Sequence, residues 1–234
     1  MSEALDKVRG VRELPLFPLP LVLFPGVPLP LHIFEERYRR LLADVRASNN
    51  LFGLSHFAPE SGAGDRPPVG HVGCATEVVE VQPLPDGRSN IMTMGLVRYR
   101  VEEYVERGDP YLVARVEFFE DVEEDAAVAA LRAGEVTEMF MRIARAMRTA
   151  NDERGTLPEL PQDDPERLSF LVAAVVEMEA EAKQQFLELR STAERLRRLY
   201  TLLAQAVSSY EERARTHERA RGNGHAGKKV DLEG

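Results

Sequence analysis

The residues of this chain with types suited to chemistry are few: five histidines, one cysteine and a glycine-rich string near the carboxyl end. That string, "GNGHAGKK" (222–229), nearly matches the phosphate-binding pattern G-x-x-x-x-G-K-[ST], in which backbone amides wrap phosphates and the hydroxyl binds magnesium. Here Lys229 stands where the hydroxyl belongs, no strand pattern precedes the string, and only five residues follow Lys229. The expectation is a flexible tail. "HIFEE" (32–36) has the start of a zinc-protease helix but lacks the second histidine one turn on, so His32 is expected to end a strand. "HVGC" (71–74) puts His71 and Cys74 three apart, which on a strand sends them to opposite faces; Cys74 is expected to be a small buried hydrophobe. The carboxylate pairs Glu123–Glu124 and Asp163–Asp164 stand at helix entrances, where the helix dipole alone favours acids. Neither G-x-S-x-G nor G-x-G-x-x-G occurs. With no catalytic constellation, no metal set and no cofactor motif, the sequence points to a binding module and not an enzyme.

The elements that would carry such a module fall into two textures. Up to about residue 119 the chain reads as short strands broken by Pro and Gly: "VRELPLF", a turn at Pro25–Gly26, "VPLPLHIF", "LFGLSHF" (51–57), "CATEVVEVQPL" (74–84), a long strand over 89–105, and "PYLVARVEFF" (110–119). Pro85-Asp86-Gly87-Arg88 is the strongest hairpin signal, because glycine takes positive φ without steric cost. In the strand after it, Val97, Tyr99 and Val101 alternate with Arg98, Arg100 and Glu102, which predicts one buried and one wet face. A first helix carries Tyr38, Leu41, Leu42 and Val45 on one face. "APESGAGDRPPVG" (58–70) reads as a loop. From Asp121 the period turns helical: a stripe of Val128, Leu131, Met139, Phe140, Ile143 and Met147, a linker at "NDERGTLPELPQDDP", then a helix capped at Asp164–Pro165 with Leu168, Leu171, Val172 and Val175 together. Ser191 and Glu194 form a capping box before Leu196, Leu199, Tyr200, Leu203 and Val207. Met92, Met94, Met139, Met141 and Met147 are expected to fill the core, with an adaptable binding surface as the alternative.

One stretch, Leu14 to Phe34, has 21 residues without Asp, Glu, Lys or Arg, about the length of a membrane span. Its six prolines (Pro15, Pro18, Pro20, Pro25, Pro28, Pro30) exclude a spanning helix, since each removes a backbone donor that lipid cannot replace. The acids Glu3, Asp6 and Glu13 ahead of it do not suit a signal peptide. A net charge of −9 argues against generic phosphate binding, and Arg98, Arg100 and Arg115 are too few for a convincing basic face. The lone cysteine fits a reducing, cytoplasmic setting.

"ELPLFPLPLVLFPGVPLPLHIFEERYRRLL" resembles the start of the amino-terminal, substrate-binding domain of Lon-type ATP-dependent proteases, in which an "LPLFPL" strand leads through an "FPG" turn to "PLHIFE-x-RY". The matching residues are Leu14–Leu19, Phe24–Gly26, Pro30–Glu35, Arg37 and Tyr38. "VGCATEVVEVQPLPDGRSNIMTMGLVRYRV" resembles the family's "G-x-x-A-x-V" strand, "LPDG" turn and "G-x-x-R" return strand; "DPYLVARVEFFED" and "EAKQQFLELRSTAERLRRLYTLL" follow in order, so the likeness runs over about 12–208. Pro20–Leu21 departs from the charged residue that follows "LFPL" in many relatives. The resemblance implies an α+β fold, a PUA-like antiparallel β pseudo-barrel followed by a carboxyl-terminal α-helical bundle. The expected organisation is a barrel over 12–120, a bundle over 121–210 and a disordered tail over 211–234. The family's ATPase and Ser–Lys protease modules have no positions here, so a free-standing relative is expected. Its implied role is a non-catalytic binder of unfolded or degron-bearing polypeptides, an adaptor to a protease, monomeric or weakly dimeric, with no cofactor and no membrane. The candidate peptide-contact patch is Leu23, Phe24 and Val27, beside the turn, against a slightly favoured reading in which the same residues cap the barrel. The alternative is a PUA-like binder of a small molecule or RNA.

Overall fold

The computed structural model describes residues 2–57, 66–151, 156–157 and 159–224. Most of the glycine-rich string at 222–229 lies outside these residues, as do parts of the loop at 58–70 and of the linker after Asn151. Twelve elements follow in order: α1 (Glu3–Lys7), β1 (Glu13–Leu19), β2 (Pro28–Ile33), α2 (Glu36–Arg46), β3 (Leu51–His56), β4 (Val72–Pro83), β5 (Ser89–Tyr104), β6 (Leu112–Phe119), α3 (Ala126–Ala150), α4 (Pro165–Val175), α5 (Ala180–Glu188) and α6 (Thr192–Gly224). They make an α+β fold whose six-stranded sheet has the order β2-β5-β4-β3-β1-β6, and β6 also pairs with β5. The extra pairing closes a ring of β5, β4, β3, β1 and β6, with β2 laid along the first half of β5. Closure limits unpaired backbone and leaves β2 as a strand paired along one side alone. The sheet is mixed, because β1 and β3 run parallel while the other pairs are antiparallel.

The chain divides into two compact units, one of Met1–Glu123 with Phe170–Ser191, the other of Glu124–Ser169 with Thr192–Gly234. This differs from the expected cut at residue 121, because α5 returns to the barrel. Gln184 Nε2 donates to the Val72 carbonyl at 2.9 Å, and Arg98 donates to the carbonyls of Leu187 and Leu189. In the barrel unit Tyr99, fully buried, runs its ring past Gly53 and Gly73, where an added Cβ would lie 2.6 and 2.4 Å from the phenol. Its hydroxyl shares a 2.7 Å hydrogen bond with Ser55 Oγ, so the one polar atom it brings inside is satisfied.

In the second unit α3 and α6 lie side by side and run in the same direction: Ala193 N donates to Glu124 near their starts and Arg142 to Glu211 further along, at 3.0 and 2.9 Å. Their seam is Ala129, Ala133, Val136, Met139, Ile143 and Ala146 on α3 with Leu196, Leu199, Leu203 and Val207 on α6. Three residues of the expected α3 stripe are corrected: Val128, Leu131 and Met147 are exposed, because small alanines let the helices approach and set the seam. On α4, Leu168 and Val172 are buried as expected, but Val175, its last residue, is 65% exposed. α6 continues to Gly224, past Tyr210 where a tail was expected to begin. Glu and Arg are good helix formers, and Arg215–Glu211 and Thr216–Glu212 contacts at one-turn spacing support the extension.

Candidate functional site

The apolar turn after β1 is the first place to look for a contact surface, and the structure corrects that expectation. Leu23 and Phe24 are 3% and 0% exposed, and Val27 is half-buried. Leu23 packs on Leu54 and Cys74, and the Phe24 ring lies 6.0 Å from that of Phe170. The turn is fastened to β5 by Gly26 N donating to the Gly95 carbonyl (2.9 Å) and Gly95 N to the Val27 carbonyl (3.0 Å). Residue 95 must be glycine for this approach, since a Cβ would lie 2.3 Å from the Phe24 carbonyl oxygen. Leu23 and Phe24 therefore plug the barrel and offer no surface. Cys74 beside them is fully buried, and burial pushes its thiol up to about 12, which makes it inert as a nucleophile.

The basic face considered for RNA also fails to form. Arg98 is 1% exposed, bonds to the Asp121 carboxylate, and packs its guanidinium over Phe119 and Phe170. The alternation in β5 breaks at Arg98 because α5 covers the outer face there, and Arg98 caps that helix's last carbonyls. Arg115 is paired with Glu103 and Glu13. Arg195, also fully buried, holds Ser169 Oγ at 2.7 Å and Thr192 Oγ1 at 3.2 Å inside the second unit. An arginine in an alternating strand or on a helix gives no sequence sign of burial.

A cleft of about 640 Å³ opens in the barrel unit between the end of β1, the start of α2 and the β5–β6 hairpin. Its apolar wall is Pro18–Pro20, Phe57, Pro110 and Leu112, and its aromatic wall Tyr38, Tyr104 and Tyr111. Each ring is fixed: Tyr38 stacks on Phe17 at 3.8 Å, Tyr104 donates to the Pro67 carbonyl at 2.6 Å, and Tyr111 donates to Asp44 Oδ2 at 2.8 Å. That last bond, with Arg40, holds the Asp44 carboxyl below its usual range, while burial and the same bond push Tyr111 up. Burial likewise raises Tyr38. The arginines of the cleft are neutralised in place: Arg37 by Glu35 (2.8 Å), Arg66 by Glu106 (3.2 Å) and Arg107 by Glu13. β1 pairs with β6 only as far as Leu16 but with β3 as far as Leu19, so one edge of Phe17–Leu19 borders the cleft unpaired. Proline at 18 removes the donor there, so this edge offers carbonyl acceptors.

The remaining sequence candidates do not converge on the cleft. His32 ends β2 as expected, sharing a 2.7 Å hydrogen bond with Asn90. His71 is largely buried, its Nε2 without a partner among the described residues, and burial lowers its basicity. Met92 lies partly exposed opposite Pro30 on the outer face of the β2–β5 pair, and Phe34 after β2 and Val79 on β4 are exposed as well. Among the described residues no three His, Cys, Asp or Glu stand together as metal ligands, and no helix is long and apolar enough to cross a membrane.

The pseudo-barrel with its covering helices, and the "LPLFPL…FPG…HIFEERY" path through it, define a class of substrate-recognition domain. The profile of the ATP-dependent protease La (LON) substrate-binding domain matches residues 13–205, and the chain belongs to this family. It is 29% identical over 202 residues to Lon protease 2 of Herpetosiphon aurantiacus, covering 85% of this chain and 24% of that protein. It is 26% identical over 200 residues to the Lon protease of Brevibacillus choshinensis, covering 83% and 25%. The chain thus spans about a quarter of the length of these relatives. Among solved structures, the N-terminal domain of a Mycobacterium avium complex Lon protease superposes with a TM-score of 0.62 at 18% identity, over 82% of this chain and 98% of that one. A Lon N-terminal domain protein from Xanthomonas campestris gives 0.57 at 21%, with the same coverage. These two establish the fold.

Proposed function

We propose that the protein is a non-catalytic polypeptide-recognition module that takes unfolded or degron-bearing segments into the cleft at the β1–α2 end of the barrel and presents them to a protease as a cytoplasmic adaptor. Family membership over residues 13–205 carries the reading. The cleft supports it chemically. Its volume falls within the range of binding clefts. Its paired charges make it neutral, suited to apolar and aromatic side chains, and its carbonyl edge accepts N–H groups of an extended chain.

Titration of a fluorescent, reduced and carboxamidomethylated protein, held permanently unfolded without added charge, tests the reading by anisotropy. Pro110→Asp sits on an exposed turn and introduces a charge into the cleft. It is expected to weaken binding about tenfold, roughly 1.4 kcal/mol, with the melting temperature unchanged. No binding by the native protein at millimolar concentration defeats the function. Binding lost in Met92→Lys but kept in Pro110→Asp moves the contact surface to the outer face of β2–β5. The adaptor role requires a full-length Lon protease to degrade the same client faster when this protein is added.

A further inference from the structure

α2 and the tip of the β4–β5 hairpin enclose a second groove, of about 350 Å³, with Leu42 and Val81 as its apolar floor and Arg39, Arg46 and Gly87 around it. Arg39 and Arg46 are seven residues apart, hence on one face of α2 and about 10 Å apart along its axis. The neighbouring arginines are neutralised: Arg37 by Glu35, Arg40 by Asp44 and Arg88 by Asp86. Arg39 and Arg46 have no such partner among the described residues. Helix electrostatics account for Arg46, which stands in the last turn of α2, where a cation is favoured. They do not account for Arg39, which stands in the first turn, where a cation is disfavoured. The position of Arg39 is also defined by the turn, since a Cβ on Gly87 would come within 2.5 Å of its Nη2. A protein of net charge −9 thus keeps two uncompensated guanidinium groups beside an apolar floor.

We propose that this groove is a docking site for an acidic polypeptide segment, two of whose carboxylates engage Arg39 and Arg46 while an apolar side chain between them rests on Leu42 and Val81. Guanidinium and carboxylate form charge-assisted, bidentate hydrogen bonds, stronger than neutral ones and geometrically selective. Spacing suits a peptide: residues i, i+2 and i+4 of an extended chain share one face, and i and i+4 are about 13 Å apart. That is within reach of two long arginine side chains about 10 Å apart along the helix, with residue i+2 between them facing the floor. Nucleic acid is the poorer fit, because two cations neutralise only two phosphates and the overall charge repels the rest. The groove is separate from the neutral cleft, so this assignment stands or falls without the cleft reading.

A labelled peptide of about twelve residues built from Asp, Leu and Gly, compared with its Asn counterpart, tests the assignment by anisotropy on the full chain at two salt concentrations. The Asp peptide is expected to bind at least roughly tenfold more tightly than the Asn peptide, and to weaken as salt rises. Arg39→Gln with Arg46→Gln is expected to erase that preference while leaving the melting temperature and uptake of the uncharged, carboxamidomethylated unfolded probe unchanged. Either single variant lies between. Equal binding of the two peptides, an undiminished preference in the double variant, or tighter binding of a single-stranded RNA of similar length than of the Asp peptide overturns it. Failure of Pro110→Asp to affect the unfolded probe counts against the cleft alone.

Discussion

Gly95 and Arg98, three residues apart on β5, do opposite kinds of work. Gly95 supplies an absence, the missing Cβ that lets the Phe24 carbonyl and the Gly26 amide come down onto the strand. Gly95→Ala is expected to cost about 1–3 kcal/mol in urea denaturation, the range for forcing extra atoms into a packed site. Arg98 supplies a buried charge whose donors are used by Asp121 and two carbonyls at the end of α5. Arg98→Ala takes from the buried Asp121 carboxylate its guanidinium partner, with an expected loss of about 3–5 kcal/mol. The double change Arg98→Met with Asp121→Leu, which removes both charges, is expected to recover a large part of that loss. A recovery of nothing would mean the two carbonyls, not the ion pair, set the cost. Cys74 gives a third check at this scale. With its thiol buried and held near 12, a maleimide should label the native protein at the rate of global unfolding and label the urea-unfolded chain at once.

Among the elements, β2 shows how a free strand edge is kept inert. It pairs with β5 alone, and its sequence places Pro28 and Pro30 on its exposed positions. A proline in an edge strand turns its missing N–H outward, so a second chain finds no donors there. Pro28→Thr with Pro30→Thr should restore those donors, and sedimentation velocity should then show concentration-dependent self-association stronger than the parent's. The same prolines explain how much of the fold was legible in the sequence. Local punctuation was readable: Pro25–Gly26, Asp86–Gly87 and Asp164–Pro165 each fixed a turn or cap through backbone chemistry that acts within a few residues. The strands of the barrel followed from their spacing. What was not legible depends on partners far along the chain. Arg98 looked wet because its covering carbonyl belongs to Leu187, 89 residues on. Whether Leu23 and Phe24 would cap the barrel or form a surface stayed open, because nothing local says that β5 will accept the turn. The cleft was invisible for the same reason, since its walls come from β1, α2 and the β5–β6 hairpin and no single segment carries its pattern.

Below neutral pH, the stability of the whole molecule falls through two kinds of shifted group. His71 is less basic in the folded state, so the unfolded chain binds its proton first, and stability falls as pH drops through about 6.5. The effect levels off once the folded histidine also takes a proton. Asp44, Asp86 and Glu194 are lowered, Glu194 to about 2 by Arg197 and Arg198. Their contribution is complete above their ordinary values near 4 and is lost as pH falls toward the lowered ones. The urea midpoint should therefore fall in two steps between pH 7 and pH 3, the first absent in His71→Gln. The second step is expected to be shallow, because the carboxylates are solvated.

Closing the ring places Glu13 opposite Arg115. A ribosome releases the chain in order, so β1 emerges about a hundred residues before the strand that completes its pairing, which at 5–20 residues per second is roughly 5–20 seconds. Through that interval Leu14, Leu16 and Phe17, all buried in the finished barrel, have no complete core to enter. A nascent chain arrested before Leu112 should therefore be protease-sensitive throughout its first strand and bind general chaperones. One arrested far enough past Ser191 to expose β6 and α5 together should gain protection abruptly. A protein proposed to recognise unfolded chains thus begins its own synthesis as one.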